Sequence, residues 1–265
     1  MINSEFSHTF AVCAYGESEY LEECVDSLVR QSVKTNLIIC TSTPCEHIFN
    51  IAEKYGIPVY VREGKSGFKD DWNFAYNKAD SDWVTIAHQD DYYHRDYVKY
   101  LIKRTSELED AIVFFSDYLP IKNNRVGKRD VNSRIRRFLR MPMKNDRLAR
   151  KCFWKKGILS LGASICCPSA TYNKAVLGNS IFTSNLKLAI DWETFYQLAE
   201  KDGAFAYVDK PLTFYRVHDG ATSMTAIVDH RRELDDIYMF NRFWPEWITK
   251  IIMVFYKKAY NIYRE

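Results

Sequence analysis

Two adjacent carboxylates, Asp90 and Asp91, close the strand-like start of the run WVTIAHQDDYYHRDY (Trp83–Tyr97). Neighbouring anions repel each other, so a cation or a strong donor is expected beside them. Hard divalent cations such as Mg²⁺ and Mn²⁺ take oxygen ligands, usually one or two carboxylates together with phosphate oxygens. One carboxylate would then hold the cation, and the other would accept hydrogen bonds from a ribose or sugar hydroxyl. The alternative is that the two acids serve only the start of a helix near His94-Arg95-Asp96.

The elements that must position this pair are legible upstream. HTFAVCAY (His8–Tyr15) reads as a buried strand and SEYLEECVDSLVRQS (Ser18–Ser32) as an amphipathic helix, with Leu21, Cys24, Val25, Leu28 and Val29 on one face. Ser18 is expected to cap that helix. Strands at Asn36–Ser42, Pro58–Gly64 and through DWVTIA alternate with helices at His47–Gly56 and Phe68–Ala79. Such alternation implies right-handed βαβ crossovers and a mostly parallel sheet covered by helices. Ligands bind at the carboxyl ends of such strands, so the loops after Ala14, Cys40, Val61 and Ala87 should share one edge with Asp90 and Asp91. A further strand, Ala111–Tyr118, follows before the alternation lapses.

Composition bounds the rest. The 265 residues carry a net charge of +3, too little by itself to argue for nucleic acid. Twelve basic residues against Asp130 and Asp146 give Lys128–Lys156 a local charge of +10, a field that would attract phosphates or anionic lipid. Seven scattered cysteines have neither zinc-site spacing nor an evident pairing, and the amino terminus shows no secretory pattern, so reduced thiols and a cytoplasmic location are expected. No run of apolar residues is long enough to span a bilayer. The tail FWPEWITKIIMVFYKKAYNIYRE (Phe243–Glu265) has the pattern of an interfacial helix, or equally of a helix docked on the domain or on a second subunit.

The run FKDDWNFAYNKADSDWVTIAHQDDYYHRDYV resembles the nucleotide-sugar region of family 2 glycosyltransferases with the GT-A fold, with Gly67, Asn73 and Asp90-Asp91 in the matching places. Three other stretches resemble the same family in the same order. AVCAYGESEYLEECVDSLVRQS matches its first strand and helix, with Tyr15, Glu17, Ser27 and Gln31 at recurring positions. AIDWETFYQLA is similar to its catalytic-base segment, and FYRVHDGATS to its closing motif. The resemblance runs from Phe10 to Ser223. Three positions depart from the pattern: His88 stands where many members have the first acid, Ile190 replaces a Glu, and IICTSTP lacks the aspartate that reads uracil.

The resemblance implies an inverting, metal-dependent transferase that moves a sugar from a nucleotide-diphosphate sugar, UDP- or TDP-linked, to a hydroxyl of a glycan or lipid-linked acceptor. It implies Asp191 as general base, made more basic by partial burial beside Trp192. It assigns the Mn²⁺ or Mg²⁺ ion to Asp91 and His218, and the donor to Ala14, Tyr15, Glu17, Ser42, Gly67, Asn73, Asp90 and Arg216. The simpler roles stay open: Asp191 as a helix cap, His218 as a core histidine, Tyr15 and Glu17 as loop packing. The expected organisation is a GT-A domain over 1–225, its nucleotide-sugar half about 1–118 and its acceptor half about 119–225, with an amphipathic helical extension over 226–265. Peripheral contact with an anionic membrane face and oligomerisation are compatible with that plan. The rivals are a non-catalytic nucleotide- or sugar-binding protein on the same fold, and a nucleotidyltransferase, which should carry a glycine-rich phosphate loop that AVCAYGESEY lacks.

Overall fold

The computed structural model describes residues 6–123, 125–218 and 231–261, with the side chains of 231 and 258–261 left aside. The alternation expected from the sequence is present: β1 (His8–Ala14), α1 (Leu21–Val29), β2 (Asn36–Thr41), α2 (Glu46–Tyr55), β3 (Val59–Val61), α3 (Phe68–Lys78) and β4 (Trp83–His88). These four strands are parallel in the order β3-β2-β1-β4. Their side chains alternate between two cores. Phe10 and Val12 join Leu21, Val25 and Leu28 of α1 on one face, while Ala11, Ile38 and Val84 join Trp72 and Tyr76 of α3 on the other. Burial on both faces is why these strands read as near-continuous apolar runs.

One helix start differs from expectation. Ser18 holds the turn before α1, not the N-cap position itself: its Oγ accepts from the N–H of Tyr20 at 3.3 Å and its carbonyl from the N–H of Leu21 at 3.2 Å, and the helix begins at Leu21, three residues later than expected.

The second half of the sheet is mixed. After β5 (Tyr92–Tyr93) and α4 (Tyr97–Glu107), β6 (Ala111–Lys122) is followed by the short β7 (Arg125–Val126). Beyond the helices α5 (Val131–Arg140), α6 (Asp146–Ala149) and α7 (Cys152–Gly157) come β8 (Ala170–Asn173), α8 (Lys174–Leu177), α9 (Ile190–Glu200) and β9 (Ala204–Arg216). β8 lies antiparallel between β4 and β6, and β9 runs parallel to β6. β5 pairs antiparallel with β9, Tyr92 opposite Phe214, which brings the end of β9 to the loop after β4. Six strands (β1–β4, β6 and β9) share a direction, so the described sheet is mostly parallel.

The basic segment is partly offset inside the fold. Buried Asp117 takes Arg129 and Arg140, Asp209 takes Arg137 at 2.7 Å and Lys144 at 3.5 Å, Arg150 pairs with Asp110 and Lys156 with Glu200. Lys155 is buried and donates to the carbonyls of Lys201 and Gly203. Seven of the twelve basic residues are thus tied down, and the field inferred from the sequence is correspondingly weaker.

Two helices, Arg231–Asn241 and Glu246–Asn261, complete the described chain. The first packs on α9, where Phe240 meets Trp192 edge-on at 5.1 Å, and between the two helices Trp244 donates to the Ser160 carbonyl at 2.7 Å. The last helix buries Thr249 and Met253, while its opposite side leaves Trp247, Ile251, Val254 and Phe255 open. Among the described residues no helix is long and apolar enough to cross a membrane.

Candidate active site

Register brings the strand ends together. Cys13 of β1 lies opposite both Cys40 of β2 and His88 of β4, and Ala14 lies opposite Thr41. The loops that follow are stitched to one another. The Gln89 amide exchanges two hydrogen bonds with the Tyr15 backbone, at 2.8 and 3.1 Å, and Thr43 accepts from the Gly16 N–H at 2.8 Å. Ser27 and Gln31 fix the chain just after the carboxylates. Ser27 Oγ accepts from Tyr93 N at 3.1 Å, and Gln31 donates to the His94 carbonyl and accepts from Val98 N.

Asp90 and Asp91 do not cap a helix. Asp91 is buried, and its Oδ1 accepts from the backbone N–H of Arg216 at 3.0 Å. The Arg216 guanidinium donates to the Asp90 carbonyl at 3.0 Å and to Glu23, and it lies 4.4 Å from the centre of the Tyr20 ring. His218 Nε2 lies 3.1 Å from Asp90 Oδ2, and its ring packs beside Tyr20. Burial, then the charge of Asp90, pushes the Asp91 carboxyl well above the usual range, and Arg216 only partly offsets this.

His88 completes the cluster. Ligand atoms of His88, Asp90 and Asp91 lie within 4.8 Å of one another, with His88 Nδ1 3.7 Å from Asp91 Oδ2. The ring stacks on Trp72 at 5.5 Å, and its Nε2 is buried without a hydrogen-bond partner. Burial lowers its pKa, so the imidazole is held in the neutral form that binds metals. A neutral imidazole whose Nδ1 lies beside the Asp91 carboxylate, with Nε2 held by no hydrogen bond, fits a divalent cation. His88, marked in the sequence only as a departure from pattern, therefore belongs to the cluster.

Asp191 sits in the first turn of α9 and is half-buried. Burial raises its pKa; Arg232 and the N–H groups at the helix start draw it partly back. Asp191 in turn acts on His88, so the base candidate and the cation cluster share one field. Of the other residues that the family resemblance assigns to the donor, Ala14, Tyr15, Glu17 and Ser42 lie on or shortly after β1 and β2. Gly67 precedes α3, where Asp71 accepts from its N–H at 2.9 Å and from Arg62 at 2.8 Å. Asn73 directs both ends of its amide to the Phe182 backbone, at 2.8 and 3.3 Å, and so braces the 181–183 segment. Residues 219–223 of the closing motif lie outside the described residues.

The family model described as glycosyl transferase family 2 matches residues 9–165, more than half of the chain. The chain belongs to glycosyltransferase family 2. A curated relative, glycosyltransferase GlyA of Streptococcus pneumoniae serotype 4, is 26% identical over 115 residues, which is 42% of this chain and 16% of the relative. Among solved structures, S. aureus TarS 1–349 in complex with UDP-GlcNAc is similar at a TM-score of 0.61 and 18% identity, over 93% of this chain and 70% of that one. The mannosyltransferase PcManGT from Pyrobaculum calidifontis, in complex with GDP-Man and Mn²⁺, is similar at 0.58 and 15%, over 97% and 70%. These likenesses establish the GT-A fold for this family 2 chain.

Proposed function

We propose that this family 2 chain transfers a sugar from a nucleotide-diphosphate sugar to an acceptor hydroxyl, with inversion and with a divalent cation. The observation that carries the reading is the His88–Asp90–Asp91 cluster at the carboxyl edge of the sheet. The ligands named for TarS and PcManGT, UDP-GlcNAc and GDP-Man with Mn²⁺, support that donor class.

In this reading His88, Asp90 and Asp91 hold the cation, with His218 beside Asp90. When bound, the ion supplies charge neutralisation for the departing diphosphate. Tyr15, Glu17, Ser42 and the Gly67 loop bound the donor. Arg216 anchors the two acids, and its buried positive charge beside them favours negative charge at the site. Asp191 accepts the proton of the acceptor hydroxyl, and partial burial makes it a stronger base than a solvated carboxylate. A nucleotidyltransferase fits less well, because the loop after β1 carries no glycine-rich phosphate cradle.

Inversion has a direct test. NMR of the linkage formed from UDP-GlcNAc or GDP-Man should show the anomeric configuration opposite to the donor's. A retained configuration would contradict direct displacement, and free sugar as the main product with every acceptor would indicate a hydrolase.

A lipid-linked acceptor is supported by the open face of the last helix, where Trp247, Ile251, Val254 and Phe255 lie opposite its docked side. Because Trp244 and Met253 are packed into the domain, point changes test this better than truncation. Trp247→Ser with Phe255→Ser should abolish co-flotation with anionic liposomes and leave Tm within about 2 °C, since exposed substitutions rarely exceed about 0.5 kcal/mol. Unchanged flotation would remove the helix from membrane contact.

A further inference from the structure

The helix Arg231–Asn241 reads in sequence as the start of an appended extension. Its contacts are with the segment that carries Asp191. Asp235, only 8% exposed, brings one carboxylate oxygen, Oδ2, to three successive backbone N–H groups: Lys187 at 3.0 Å, Leu188 at 2.7 Å and Ala189 at 3.2 Å. These residues run directly into Ile190 and Asp191, the first two residues of α9. Successive N–H groups converging on one oxygen form an anion-binding nest, and a carboxylate fills it with charge-assisted bonds. Its charge also complements the positive end of α9.

The same helix holds the other side of the turn. Glu193, buried, accepts from Tyr238 at 3.2 Å and Arg242 at 3.0 Å, as well as from Ser184. Trp192 is fixed between the Leu159 carbonyl, 3.0 Å from its indole nitrogen, and the Phe240 ring. Asp191 thus lies between two anchored stretches, residues 187–189 before it and 192–193 after it. A helix start has free N–H groups and is easily displaced by a fraction of a turn. Here a neighbouring helix removes that freedom.

We propose that Asp235 is a positioning residue for Asp191: by gathering the N–H groups of Lys187, Leu188 and Ala189 it sets where the Asp191 carboxylate stands against the acceptor. The inference rests on the reading of Asp191 as the base. It makes Asp235, and the turn of helix that carries it, a support for the segment that bears Asp191. Asp235 touches backbone and acts only through the placement of Asp191, so its loss should appear in kcat and not in donor affinity.

The test compares Asp235→Ala, Asp235→Asn and Asp191→Asn in the full chain, with Leu234→Ala, an exposed neighbour on the same helix, as control. Nucleoside diphosphate release from UDP-GlcNAc or GDP-Man with Mn²⁺, with water standing in for the acceptor hydroxyl and free sugar as the second product, gives kcat and KM, and hydrogen exchange reads the amides of 187–189. Asp235→Ala should lose about 10²-fold in kcat, the scale of a misplacement of about 1 Å, with the donor KM within about twofold. The three amides should exchange faster. Asp235→Asn keeps an acceptor oxygen and should recover about tenfold of that loss; it also serves should the alanine variant not fold. Wild-type kcat in both Asp235 variants beside an inactive Asp191→Asn would overturn the positioning role alone. Full turnover in Asp191→Asn would overturn the base reading, and the positioning role with it.

Discussion

Asp191→Asn is expected to lower sugar transfer by about 10²–10⁴-fold, the range that a positioned general base contributes, while nucleotide binding survives. The substitution keeps the shape and an acceptor oxygen at the start of α9 and removes only the group that takes a proton. Loss by unfolding is separable from loss of chemistry. Burial raises the folded-state pKa of Asp191, so its contribution to stability is present below the ordinary carboxylate range and lost as pH rises through the raised value. At neutral pH the ionised carboxylate therefore weakens the fold, and the Asn variant should melt no lower than the wild type. The same shift fixes the pH profile. As pH falls through the raised pKa the base is protonated, so the acid limb of kcat should lie above the usual aspartate range. Equal turnover in wild type and Asp191→Asn would assign the proton to another group.

Asp91→Asn should have two opposite effects in one experiment. Without metal, Tm should rise by about 2–4 °C, taking about 1 kcal/mol as typical of a stabilising change at this chain length. The sign follows from the raised carboxyl of a buried aspartate beside Asp90: its stabilising contribution is full below the ordinary aspartate range and absent above the folded value. Asn still accepts the Arg216 N–H, so that backbone bond need not be lost. With Mn²⁺ and nucleotide, the stabilisation seen in the wild type should vanish, because the cluster has lost a charged oxygen ligand. A destabilised apo variant would show that Asp91 has a structural role that outweighs its charge.

Much of this was legible in the chain because the first half obeys simple periods. The buried strands, the amphipathic α1 and α2, and the shared edge of the loops after β1, β2 and β4 follow from patterning and βαβ chirality alone. The short antiparallel strands were not legible: β5 has two residues and β8 four, too few for any period to register. Charge counting within Lys128–Lys156 misses acids that pair with it from elsewhere, among them Asp117 of β6 and Asp209 of β9, which lower its field without cancelling it. Ser27 and Gln31 were visible as recurring positions, and only the fold gives the reason, since they pin the chain beyond Asp91. The family resemblance assigns Asn73 to the donor, and the fold shows its amide engaged by Phe182, 109 residues away. His88 could have been found from the sequence: a histidine two residues before an acid pair at a strand end is itself a metal-ligand spacing. Nothing in the sequence marked Asp235, because a nest of backbone N–H groups has no residue signature.

The central claim is that a nucleotide and a divalent cation meet at His88, Asp90 and Asp91. It is tested most directly by melting the protein with UDP, TDP, GDP and CMP, each with and without Mn²⁺. A ligand at 100 times its Kd adds about 2.7 kcal/mol, roughly 5–10 °C at this chain length. The expected result is a Mn²⁺-dependent rise of that size with one of the diphosphates. No shift with any nucleotide at saturation, with or without Mn²⁺, would contradict the donor site and return the chain to a non-catalytic role on the same fold.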